Sequence, residues 1–306
     1  MKKPGKISNP IKVFKKREIM DIKKMTLAGS WYPASAKESE TSIQGFLKER
    51  QGSLQSDNFL GGIVPHAGWY YSGSIACRVI ASLKSDETSD EKIDTIILFG
   101  AHMHKQSEPF ILTHGFVETP FGDIEVDKDL TEKICDGISL RQRSPQKFPD
   151  ENTFELQFPF IKYFYPDVKI VVCGVAPSFF ASIIGSMAVE EANKMSRNIK
   201  IVGSTDMTHY GPDFGFTPAG TGEKAVKWVK NENDKNAIKA MMEMDESKII
   251  AQGLENKSMC CAGAAAATAV ACKKLGAVNS IELDYATSFD KSGGSSFVGY
   301  SGILYS

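Results

Sequence analysis

The chain has 306 residues, 42% of them hydrophobic and 24% charged, enough apolar content for a substantial core in one large domain or two small ones. A net charge of −1 gives no support for nucleic acid or an anionic membrane as a partner. Six scattered cysteines with no CxxC motif are too few for a disulfide framework, which points to reduced thiols in the cytoplasm.

Residues 1–25 are polar and basic, with Lys2, Lys3, Lys6, Lys12, Lys15, Lys16 and Arg17 and no apolar stretch behind them. They read as an arm, disordered or wrapped on the surface, and not as a signal peptide. No apolar run reaches the ~20 residues that span a bilayer. The fold proper is expected to begin at Ala28-Gly29-Ser30-Trp31-Tyr32-Pro33, followed by a helix over Ala36 to Glu49 with Ser35 as its N-cap. Gly61 to Pro65 reads as a short buried strand, Ser72 to Leu83 as a helix, and Thr95 to Phe99 as a second strand. Helices are expected over Asp127–Gly137 and Thr153–Phe164, then a strand over Val168–Val175, a helix over Ser178–Met195 and a strand over Ile199–Gly203. Helices over Gly222–Met244 and Cys260–Leu275 and strands over Ser280–Tyr285 and Ser296–Tyr305 close the chain. Strands alternating with helices imply an α/β fold with a mixed or mainly parallel sheet covered on both faces. The polar stretch Ser85 to Lys92 fits a surface loop, and nothing else divides residues 26–306, so they read as a single domain.

Three histidines stand where a strand gives way to a loop, the edge at which open α/β sheets place ligands. His66 follows Val64-Pro65 and precedes Ala67-Gly68-Trp69, where glycine lets the backbone approach a bound group. His102 follows Leu98-Phe99-Gly100-Ala101, while His104, two residues on, reads as solvent-facing. In Ser204-Thr205-Asp206-Met207-Thr208-His209-Tyr210, Asp206 and His209 converge if the loop makes a helical turn, as ligands, as an acid/base pair or as a carboxylate orienting an imidazole. Each has a bland alternative: a structural histidine in a turn, or an aspartate capping one. Cys260 and Cys261 open a helix of very small residues, where the macrodipole favours a thiolate; an inert buried thiol is the competing reading. Glu155 and Gln157 need partners if buried in the apolar run Phe154 to Phe160. Together these residues suit a mononuclear site for iron, copper or zinc and not for magnesium or calcium.

The segments PHAGWYYSG, IILFGAH, ENTFELQFPF, STDMTHYG and the CCAGA helix start, taken in this order, resemble the Memo family, whose prokaryotic members are often named AmmeMemoRadiSam system protein B. The likeness covers about residues 27–305, including Ala28 to Pro33 and Ser295 to Tyr300. It implies a fold similar to class III extradiol dioxygenases, with His66, His102 and Cys260 as metal ligands and Asp206 and His209 as catalytic residues lining the same pocket. Glu155, Gln157 and Trp69 form the implied substrate-binding set. Three departures stand out: Asn152 where the family often has histidine, Phe99-Gly100-Ala101-His102 in place of Gly-Pro-x-His, and Cys261 in place of glycine, which lets either thiol be the inward one. The resemblance implies an iron or copper centre with redox-linked chemistry. A zinc-dependent hydrolase, with Asp206 or Glu155 as base, is a second expectation. The third is a non-enzymatic pocket that recognises a peptide or partner protein, as the signalling role of animal Memo proteins suggests.

Overall fold

The computed structural model describes residues 21–49, 58–84 and 92–306, so the expected arm lies outside it up to residue 20, as does most of the Ser85 to Lys92 loop. Among the described residues the centre is a nine-stranded mixed sheet. Its strands are β1 (Gly61–Val64), β2 (Thr95–Gly100), β3 (Phe110–Leu112), β4 (Arg141–Arg143), β5 (Lys169–Gly174), β6 (Ile199–Ser204), β7 (His209–Tyr210), β8 (Ser280–Thr287) and β9 (Phe297–Tyr305). They lie in the order β7-β9-β1-β6-β2-β5-β3-β4, with β8 also paired to β9. The four strands β1, β6, β2 and β5 are mutually parallel and form the middle, so their carboxyl ends share one edge.

Period-2 alternation divides each central strand between two cores. Ile97, Phe99, Val171, Cys173 and Ile201 face one side, under α3 (Lys128–Gly137), α5 (Phe180–Lys194) and α8 (Ala262–Lys274). Ile96, Leu98, Ile170, Val172 and Val202 face the other, under α1 (Ala36–Lys48), α2 (Ser74–Ser82) and α4 (Phe158–Phe164). Each aliphatic or phenyl side chain buried in this way contributes about 1.5–3 kcal/mol. The two helices α6 (Asp234–Met242) and α7 (Glu246–Asn256) lie between β7 and α8 in sequence. Ser35 caps α1, accepting from the Glu38 backbone N–H at 3.3 Å. Among the described residues no helix is long and apolar enough to cross a membrane.

Several elements differ from the sequence expectations for identifiable reasons. The helix expected over Thr153–Phe164 is two pieces, Asn152–Glu155 and α4, with Pro159 in the first turn of the second. That over Gly222–Met244 is interrupted by a π-helical turn at Val229–Asn233, and α2 is likewise preceded by one at Trp69–Gly73. Strands β3 and β4 escape a pattern reading because one is three residues long and the other is Arg-Gln-Arg. Helix α7 buries only Ile249, so its apolar stripe is too thin to detect; its signal is Asp245, which caps it by accepting from Lys248 N–H at 3.0 Å. Order also begins before Ala28: Ile22–Lys23 pairs in parallel with Phe116–Val117.

Candidate metal centre

Because β1, β6 and β2 are adjacent and parallel, the residues that follow them meet at one edge: Pro65-His66, Thr205-Asp206 and Ala101-His102. Ala101 adopts a left-handed backbone with φ of 77°, unusual for a residue with a side chain, and its N–H is held by Thr153 Oγ1 at 2.9 Å. The fourth contribution comes from the start of α8. The Cys260 N–H donates to the Asp206 carbonyl at 3.2 Å and the Cys261 N–H to Thr205 Oγ1 at 3.0 Å, which ties the two thiols to the end of β6.

His66 is the most constrained member. Its N–H donates to Asp206 Oδ1 at 2.7 Å and its carbonyl accepts from Asn152 Nδ2 at 3.1 Å. Its Nδ1 lies 3.0 Å from Ser204 Oγ, and its Nε2 lies 3.3 Å from Cys260 Sγ. The His102 ring stands edge-on to it, centroids 5.0 Å apart, with Nδ1 donating to Glu151 Oε2 at 3.1 Å. The ligating atoms of His66, His102, Cys260 and Cys261 all lie within 4.8 Å of one another. Asp206 Oδ2 is 3.9 Å from both His66 Nε2 and His209 Nε2. His209 lies tilted against Phe214 with ring centroids 5.0 Å apart, and its buried Nε2 has no hydrogen-bond partner among the described residues. The His66 side chain is fully buried while that of His102 is 41% exposed and that of His209 34%, so the cluster opens to solvent past these two rings.

The ionisable groups of the cluster shift one another. Burial opposes ionisation of Cys260, yet the Cys261 hydrogen bond and the neighbouring His66 and His102 hold its thiol well below the ordinary cysteine value. Burial and the Cys260 charge push Cys261 well above it. Hydrogen bonding to Cys260 and Glu151 raises His102 to about 10. Burial lowers His66 and His209, but the charges of Asp206 and Cys260 outweigh it and both end raised.

The structure thus brings together His66, His102, Cys260, Asp206 and His209. Asp206 and His209 converge without the expected helical turn. The loop runs extended, with Met207 N–H on the Gly299 carbonyl at 2.8 Å, and the pairing of β7 with β9 sets His209 opposite Val298. Glu155 is buried and accepts from Thr26 N–H and Oγ1, Leu27 N–H and the Tyr32 hydroxyl, clasping the segment that leads into the fold. Gln157 Nε2 donates to the Pro65 carbonyl at 2.9 Å, fixing the His66 loop. Trp69 stacks on Phe160 at 4.1 Å and donates to the Leu156 carbonyl. His104 is exposed and outside the donor group. Glu151 and Ser204, which orient the two imidazoles, escaped the sequence reading although both stand inside motifs it singled out. The only signal for them was a polar residue at the start of each motif.

A second buried carboxylate supports the His209 loop. Asp234 accepts from the backbone N–H of Thr208 at 3.1 Å, from the Thr208 hydroxyl and from the Tyr285 hydroxyl at 2.7 Å. Burial raises its carboxyl to about 6 despite these bonds. A folded-state value above the unfolded one stabilises the fold at low pH, and that contribution is lost as pH rises through about 6. A rise of this size corresponds to about 3 kcal/mol. In urea denaturation, the stability of wild type minus that of Asp234→Asn should fall by about this amount between pH 4 and pH 7. A pH-independent difference would refute the assignment.

The family model for Memo-like proteins matches residues 23–304 of the chain. A MEMO1 family protein of Methanococcoides burtonii is 29% identical over 288 residues, spanning 92% of this chain and 99% of that protein. Another, of Pyrobaculum arsenaticum, is 30% identical over 297 residues, spanning 94% of this chain and 99% of its own. A third, of Thermococcus onnurineus, is 28% identical over 290 residues, spanning 91% and 97%. The match runs through every segment that supplies a donor to the cluster and reaches nearly the full length of these relatives: the chain belongs to the Memo family.

Proposed function

We propose that the protein holds one iron or copper ion between His66, His102 and Cys260 and uses it in redox-linked chemistry on a small molecule or peptide. The observation that carries this reading is the convergence of imidazole and thiol donor atoms within 4.8 Å of one another, a set suited to these metals and not to magnesium or calcium. When bound, such an ion supplies one-electron chemistry and Lewis acidity. The protein's own residues do the rest. Ser204 at His66 Nδ1 and Glu151 at His102 Nδ1 orient the two rings and leave Nε2 of each for the pocket. Asp206, 3.9 Å from His209 Nε2, takes a proton from the pocket, and His209 at the rim exchanges it with solvent. Glu155, Gln157 and Trp69 serve the substrate indirectly, by holding the His66 loop and the segment around residues 26–32.

The likeness to class III extradiol dioxygenases supports a redox role. Cys260 stands in place of the carboxylate of a two-histidine, one-carboxylate site, so the reading does not extend to ring cleavage. Zinc is the second reading: with Cys261 the donors form a closed Cys₂His₂ set, and only with Cys261 outside the coordination does a position stay open for the water of a hydrolase. Metal analysis of protein purified without added metal tests both. Iron or copper near one equivalent, lost in His102→Ala, is the expected result. Zinc near one equivalent would move the assignment to the second reading, and metal-free protein would leave the pocket to partner recognition.

A further inference from the structure

A three-donor site does not need Cys261, yet its sulfur lies 3.6 Å from that of Cys260. Both backbones are pinned to the end of β6, so the contact does not depend on a mobile loop. The two thiols differ in access: Cys260 is partly exposed, whereas Cys261 is 2% exposed. We infer that Cys260 and Cys261 form a reversible oxidation site at which a hydroperoxide converts the two thiols into a vicinal disulfide.

The accessible sulfur reacts first. Cys260 attacks the terminal oxygen of the hydroperoxide, the O–O bond breaks, the alcohol leaves with a proton, and Cys260 becomes a sulfenic acid. The Cys261 sulfur then attacks Cys260 Sγ, the S–O bond breaks, the Cys261 proton leaves with the hydroxyl as water, and the S–S bond forms. In sum, two thiols and one hydroperoxide give one disulfide, one alcohol and one water. The two electrons lost by sulfur reduce the peroxide bond. Neighbouring Cα atoms across a trans peptide are about 3.8 Å apart, closer than the roughly 4.4–6.8 Å of ordinary disulfides, so this bridge is strained and easily reduced by a dithiol. A disulfide sulfur is no thiolate donor. Oxidation therefore removes two of the four grouped donors, a consequence that rests on the metal reading above.

The test uses full-length, reduced, metal-free protein and one equivalent of hydrogen peroxide, followed by alkylation and tandem mass spectrometry. Cys272 shares the tryptic peptide Ser258 to Lys273, so fragments cut between Cys261 and Cys272 are required. The expected result is two thiols lost per peroxide consumed, with Cys260 linked to Cys261 and both recovered by dithiothreitol. In Cys261→Ala only one thiol should be lost, and dimedone should trap a sulfenic acid at Cys260. Dimedone capture at Cys260 in wild type to the same extent, or linkage through Cys272, would overturn the proposal. A parallel sample preloaded with zinc separates the two readings. Linkage in free protein without protection by zinc keeps the oxidation site and sinks the metal reading. Zinc uptake without linkage in free protein does the reverse.

Discussion

Replacing Cys260 or His66 by alanine is expected to abolish metal uptake, a loss well beyond the roughly 10–100-fold that follows removal of a group orienting a metal-bound histidine. Cys260 Sγ is the common neighbour of the cluster, within contact distance of His66 Nε2 and Cys261 Sγ, so its removal disconnects the donors. His66 is fully buried and fixed on both sides of its backbone, and no exposed side chain can take its place. Glu151→Gln should fall within the 10–100-fold range, because an amide still accepts from His102 Nδ1 but without charge. His104→Ala should leave affinity unchanged. Competition between the protein and a chromogenic chelator for zinc measures these four and His102→Ala. Equal losses for His104→Ala and His102→Ala would overturn the choice of His102. Uptake should also strengthen as pH rises from 6 to 9. His102, raised to about 10 by Cys260 and Glu151, carries a proton that the metal must displace at neutral pH.

The parts of this site that were legible in the sequence are those fixed by local pattern. Apolar β-branched runs mark β1, β2, β5 and β6, and the end of a buried strand marks the ligand edge of a sheet, which is how His66, His102 and Asp206 could be singled out. The strand order β1-β6-β2 is not the chain order, and no local pattern contains it. The pairs that depend on it were therefore hidden: Ser204 with His66, 138 residues apart, and Glu151 with His102, 49 residues apart. The sequence left open which of Cys260 and Cys261 is the inward thiol. Cys261 is the N-cap, with φ of −124° and ψ of 54°, and outside helical geometry the two sulfurs reach the same side. In the segment Glu151–Gln157 the sequence showed the need for partners but not their identity. Polar residues buried among aromatics must be satisfied, and Glu155 and Gln157 are satisfied by backbone groups of distant loops, which no local pattern names.

Gly263→Ala is expected to destabilise the fold by about 1–3 kcal/mol and to weaken zinc binding, although it removes no donor. Residues Ala262 to Ala267 are buried, so this part of α8 packs with no side chain of its own larger than a methyl group. A Cβ on Gly263 would meet the Val175 carbonyl oxygen and the Ala176 carbonyl carbon, with the Ala176 oxygen 2.6 Å away. These are backbone atoms at the end of β5 and cannot rotate aside, so the helix itself must move. Gly263 stands three residues beyond Cys260, and any displacement of the helix start changes the 3.3 Å contact between Cys260 Sγ and His66 Nε2. Gly45→Ala is the control: it lies on the exposed face of α1, and among the described residues no atom outside the helix's own backbone is within 4 Å of the added Cβ. There the substitution should stabilise by up to about 1 kcal/mol, because alanine loses less backbone entropy in a helix. Urea midpoints and zinc competition on the two variants give the comparison. If Gly263→Ala matched wild type in both, the close seating of α8 would not be what holds the thiols at the site.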